Sequence, residues 1–136
     1  MKKILSIKYS TAAFNFSMLL LRVVFGLLMI MKHGYDKMIN FSTLETKFYS
    51  FMGVGPKFSL VLSIFAEVLC SLFLVLGLFT RLATIPLIIT MLVAVFGFNA
   101  GKPLVDSEAA ISYLIAFIVL LMCGPGKISV DGMINK

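Results

Sequence analysis

The chain has 136 residues, of which 60% are apolar and 13% charged, with a mean hydropathy of +1.06, whereas soluble domains are roughly 45–50% apolar and 25% charged. That composition excludes a separate soluble catalytic domain and describes an integral membrane protein, because four apolar segments able to cross a hydrocarbon layer of about 30 Å use up most of the length. Two cysteines without Cys-x-x-Cys spacing exclude a dithiol relay, an iron-sulfur cluster and an all-cysteine zinc site. The net charge of +6 comes from twelve Lys and Arg scattered between spans, a pattern that suits lipid headgroups and not nucleic acid.

After Lys2, Lys3 and Lys8, the first span is expected from about Ala12 to Met31. It is too long for a signal-peptide core and contains Arg22, so it is expected to be retained. The longest connection, Lys32 to Lys57, carries Ser42 and Glu45 at capping-box spacing, with Leu44, Phe48, Phe51 and Met52 recurring on one helical face. This predicts a short amphipathic helix lying in the interface as a lid over the bundle.

The second span is expected over Phe58–Phe79, entered through Gly55-Pro56, and the third over Leu82–Ala100, so the two form a tight hairpin. Pro86 falls near the start of the third, where a kink is cheap. Gly101-Lys102-Pro103 ends it, and the fourth and shortest span runs from Glu108 to Cys123 before Gly124-Pro125-Gly126. The remaining ten-residue tail is expected to hold no further element. The fold class is therefore all-α: a single-domain (residues 1–136) four-helix transmembrane bundle with one interfacial helix. An even number of spans puts both termini on one side, and the three lysines ahead of the first span favour the cytoplasm.

Two charges stand inside spans, Arg22 and Glu67, each costing about 2.5–3.5 kcal/mol if left alone in lipid. Arg22 precedes Met31 by nine residues and Glu67 follows Phe58 by nine, so with those ends level both lie about 13 Å below one membrane face. An Arg22–Glu67 salt bridge is expected between antiparallel helices. Asn15, Gly26, Met29 and His33 share the Arg22 stripe, and Ser63 and Ser71 flank Glu67. His33, Asp36 and Lys37, with Asn99, Lys102 and Glu108, gather at the loop-one end and are expected to line a polar funnel leading to the buried pair.

One histidine and scattered carboxylates do not supply a metal site. Cys70 and Cys123 are too far apart along the bundle for a disulfide and are read as packing residues. Tyr9, Tyr35, Tyr49 and Tyr113 are the expected interface anchors.

The order of these residues resembles the DoxX family of small bacterial membrane proteins over nearly the whole chain. The likeness rests on Leu21-Arg22, Gly26 and His33-Gly34-Tyr35-Asp36-Lys37, then Glu67 and Leu76-Gly77-Leu78-Phe79-Thr80-Arg81, then Glu108, Gly124-Pro125-Gly126-Lys127 and Asp131. The resemblance implies a four-helix inner-membrane protein. It also implies a link to membrane redox chemistry, since the family is named for its resemblance to a subunit of a thiosulfate:quinone oxidoreductase. Where family members often carry a histidine at the end of span three this chain has Asn99, which can hydrogen-bond a ligand carbonyl but cannot carry a proton.

The functional reading is an accessory subunit of a quinone-linked redox or oxidative-stress system. Quinone is the cofactor considered, and Arg22, Glu67, His33, Lys37, Asn99 and Glu108 are the candidate ligand-binding residues. A membrane redox partner and a second copy of the chain are the protein partners considered. A non-catalytic scaffold or assembly factor is the alternative, and a small transporter gated by Glu67 the third.

Overall fold

The computed structural model describes residues 5–50, 53–99 and 101–134. Lys2, Lys3, Phe51, Met52, Ala100 and Lys136 lie outside them. Three helices are long and apolar enough to cross a membrane: α1 (Thr11–Ile39), α3 (Pro56–Leu76) and α4 (Thr80–Gly97). The fourth, α5 (Glu108–Cys123), has 16 residues and covers about 24 Å, and the 3-10 turn Leu104–Ser107 in front of it adds about 8 Å, enough together for a hydrocarbon layer.

Ser10 starts α1, its side chain accepting from the Ala13 N–H at 3.0 Å. The helix then runs eight residues past the expected end at Met31. Gly34 does not stop it, because a glycine ends a helix only when it turns left-handed, and this one has φ −65°. Its lack of a side chain serves contact between helices instead: a Cβ on Gly34 would come 2.5 Å from Val68 Cγ2 and 3.4 Å from the Glu67 carbonyl carbon. Gly26 is the equivalent point nearer the other end, facing Val75 and the Ser71 carbonyl.

These two contacts set the register of α1 against α3. Levelling Met31 with Phe58 misplaces it by roughly ten residues, about 15 Å.

The interfacial element shrinks to one turn, α2 (Phe41–Leu44), without a side-chain cap from Ser42 or Glu45. Helical hydrogen bonding runs on only to Phe48, whose N–H reaches the Leu44 carbonyl at 2.8 Å. A chain that must carry Phe48 and Tyr49 inward cannot also lie flat as a longer helix.

Pro56 opens α3, and Gly77 (φ 74°) closes it. Hydrogen bonds from Gly77 N to the Leu74 carbonyl and from Leu78 N to the Phe73 carbonyl complete this left-handed stop. Phe79 is also left-handed, with φ 49°, so the chain reverses within three residues and α4 returns along α3 and α5 with Pro86 inside it. The packed centre is Met18, Met29, Leu74, Leu87, Met91, Tyr113, Phe117 and Leu120. Val24, Leu28, Leu62, Leu69, Ile85 and Ile89 remain exposed on the outside, as lipid-facing side chains do.

Three further expectations change. Tyr113 is not an interface anchor but lies in the core, stacked on Phe117. The tail does form another element, α6 (Val130–Ile134). Both cysteines are free; Cys70 is buried as expected, whereas Cys123 is exposed and packs no core.

Candidate functional site: a Lys–Glu cavity between three spans

Three spans widen into π turns: Ile30–Gly34 in α1, Phe65–Cys70 in α3 and Ala94–Phe98 at the end of α4. Each places an extra residue in a turn and rotates the rest of its helix, an irregularity common at functional sites. The first contains His33, the second contains Glu67, and the third leads into Asn99. The same rotation is why a stripe drawn at uniform helical pitch from Arg22 to His33 does not stay on one face.

Glu67 is 1% exposed and pairs with Lys37, not with Arg22: Lys37 Nζ lies 2.5 Å from Oε1. The ammonium also donates to Ser63 Oγ at 3.1 Å and stands 5.5 Å from the centre of the Phe48 ring. Glu67 Oε2 is buried without a hydrogen-bond partner among the described residues. A buried carboxylate with one oxygen held and the other without a partner among the described residues can accept from a ligand's donor.

Around this pair is a cavity of about 490 Å³ lined by His33, Lys37, Ser63, Glu67, Thr90 and Asn99, with Phe48 and Tyr49 from the loop and Leu62, Ala66, Pro86 and Ile89 among its apolar walls. The His33 ring stands edge-on to Tyr113, 5.2 Å between centroids. Tyr49 closes down on Gly97, where a Cβ would come 2.9 Å from the phenol oxygen. The expected lid therefore exists as two aromatic side chains on a loop.

Four of the six residues singled out from sequence, His33, Lys37, Glu67 and Asn99, thus meet at one cavity. Glu108 is exposed and does not line it, although the next two residues, Ala109 and Ala110, do. Arg22 belongs elsewhere because the true register carries it toward the α3–α4 hairpin. It donates to the Leu74 carbonyl at 3.3 Å and to the Ile128 carbonyl of the tail.

The tail site is built from sequence-distant pieces. Asn15 Oδ1 accepts from Lys127 N at 3.0 Å, Asp131 N donates to the Gly77 carbonyl at 2.9 Å, and the Asp131 carboxylate accepts from Phe79 N and Thr80 N at 2.8 and 2.9 Å. Phe79, the N-cap residue of α4, has no capping side chain, and Asp131 caps the start of the helix in its place from 51 residues away. Asp131→Ala is expected to cost about 1 kcal/mol, read as an earlier unfolding midpoint in an SDS titration of mixed micelles.

Thr90 and Tyr49 were not singled out as ligand-facing. A hydroxyl four residues after Pro86 was the available signal for Thr90, whose Oγ1 bonds back to the Pro86 carbonyl at 2.8 Å. No group of three or more His, Cys, Asp and Glu placed to hold a metal occurs among the described residues.

The family model DoxX matches residues 17–100, a stretch that holds Arg22, His33, Lys37, Glu67 and Asn99. The chain belongs to the DoxX family. The DoxX match begins within α1, takes in α3 and α4 and stops before α5. The chain is also similar to the inner membrane protein YphA of Escherichia coli (strain K12), 28% identical over 123 residues that cover 84% of this chain and 87% of the relative. No solved structure matches it.

Proposed function

We propose that this DoxX protein is a bacterial inner-membrane accessory subunit of a quinone-linked redox system, with its termini in the cytoplasm, and that the Lys37–Glu67 cavity receives the quinone ring. The carrying observation is the cavity's division of labour. Its volume of about 490 Å³ falls in the range of small-molecule sites, its walls are mostly apolar, and its polar groups gather around one buried ion pair with an unused carboxylate oxygen.

A quinone fits that donor set. Lys37 and the Asn99 amide are donors for ring carbonyls, and Glu67 Oε2 is an acceptor for the hydroxyl of the reduced form. Phe48 and Tyr49 supply aromatic faces for the ring and exclude water from the headgroup end. When bound, the quinone carries the electrons, exchanging them with a membrane partner. The similarity to YphA, whose name places it in the inner membrane, supports the location, and Lys2, Lys3 and Lys8 ahead of α1 support the orientation.

Titration of the purified protein with a short-chain quinone, followed by thermal midpoint, tests this. Saturable stabilisation is expected, with Thr90→Val and Asn99→Ala each weakening apparent affinity about tenfold, near 1.4 kcal/mol, and Glu108→Gln leaving it unchanged. Absence of any shift with the wild-type chain favours the scaffold reading. An equal loss in all three variants places the quinone outside this cavity.

A further inference from the structure

A second cavity, about 810 Å³, opens at the termini end between the α3–α4 hairpin and the tail, lined by Phe79, Thr80, Arg81 and Leu82 on one side and by Lys127 and Asp131 on the other. Its charges are not balanced internally. The one carboxylate, Asp131, has both oxygens taken by the Phe79 and Thr80 N–H groups. The side chains of Arg81 and Lys127 make no hydrogen bond or ion pair among the described residues, and both are exposed. The Thr80 hydroxyl, fully buried, has no partner among them either.

Gly124, left-handed at φ 81°, leaves the space the Arg81 guanidinium occupies, since a Cβ there would come 3.1 Å from Nη2. Beside the charges the surface turns apolar: Phe79 and Leu82 are 57% and 67% exposed. Two exposed cations against one carboxylate, bordering exposed apolar side chains at a helix-bundle end, suit one chemistry, an anionic phosphodiester carrying acyl chains. Inorganic phosphate would satisfy the cations and leave Phe79 and Leu82 uncovered.

The geometry points to an anionic phospholipid site here, with the phosphodiester held by Arg81 and Lys127 and its chains lying over Phe79 and Leu82. Because the lipid bridges the hairpin and the tail, its occupancy ties the C-terminal segment to α4. This site is separate from the Lys37–Glu67 cavity and does not depend on a quinone binding there.

The test is the thermal midpoint of the full chain in detergent micelles, with phosphatidylglycerol, phosphatidylcholine or inorganic phosphate added. Phosphatidylglycerol is expected to raise the midpoint saturably and the other two to leave it unchanged. Lys127→Gln is expected to weaken the apparent lipid affinity about tenfold and Arg81→Gln/Lys127→Gln to abolish the response. Lys57→Gln, at an exposed lysine on the opposite end of the bundle, is expected to respond as wild type. Lys127 is exposed, so its single variant keeps the test available if the double variant fails to fold. Equal responses of Lys127→Gln and Lys57→Gln would overturn the site in favour of general surface charge, and stabilisation by inorganic phosphate alone would overturn the lipid.

Discussion

Lys37→Met is expected to destabilise the bundle by about 3 kcal/mol, and Lys37→Met/Glu67→Leu to recover most of that loss. The reasoning is a balance of burial against pairing. Glu67 is 1% exposed and the Lys37 side chain 19%, so the ion pair is screened little by water. Removing the cation alone leaves a buried carboxylate with no hydrogen-bond partner among the described residues, and the penalty is that of an uncompensated charge. Removing both charges takes away the attraction and the desolvation cost together, and a leucine in the apolar part of the cavity wall adds packing. An SDS titration in mixed micelles reads each variant, and the coupling between the two sites is the quantity of interest. If Lys37→Met proved neutral, the carboxylate would have another partner.

Arg22→Met is expected to cost a similar amount, about 3 kcal/mol, by a different route. Arg22 is 1% exposed and donates to two backbone carbonyls, that of Leu74, which keeps its bond from Gly77 N, and that of Ile128, so the substitution removes two charge-assisted hydrogen bonds that tie α1 to the hairpin and the tail. The Ile128 contact fastens the tail, so its loss is also expected to speed trypsin cleavage after Lys127 by roughly tenfold for each 1.4 kcal/mol of tail stability lost. The effects of Arg22→Met and Glu67→Leu should add, because the two side chains share no partner. A rescue of Arg22→Met by Glu67→Leu would restore the pairing that depth alone suggests.

The contrast between these two charges marks what one sequence can carry. That Arg22 and Glu67 need partners was legible, because each sits inside an apolar run where an unpaired charge is expensive, whereas Lys37 was legible only as a funnel residue beyond a span expected to end at Met31. Which partner each takes was not, because pairing depends on register, and register here comes from Gly26 and Gly34 packing on α3, contacts between residues far apart in the chain. Gly55-Pro56 announced the start of α3 to within two residues, whereas the expected end at Phe79 ran past Gly77, whose left-handed conformation stops the helix after Leu76. Gly34 carries the same letter with the opposite meaning, and the helix continued through it. The capping-box spacing of Ser42 and Glu45 likewise promised a longer helix than one turn, because local propensity had no knowledge of the cavity that draws Phe48 and Tyr49 inward. Asp131 could not have been assigned as the cap of α4, since nothing local connects it with Thr80.

The register of α1 on α3 underlies both the Lys37–Glu67 cavity and the Arg22 tail anchor, and disulfide cross-linking in native membranes measures it directly. In a chain carrying Cys70→Ala and Cys123→Ser, the pair Gly34→Cys/Val68→Cys is expected to oxidise readily, because its Cβ atoms fall within disulfide range, while Arg22→Cys/Glu67→Cys stays reduced. Efficient cross-linking of the second pair and none of the first would contradict the register and, with it, the site.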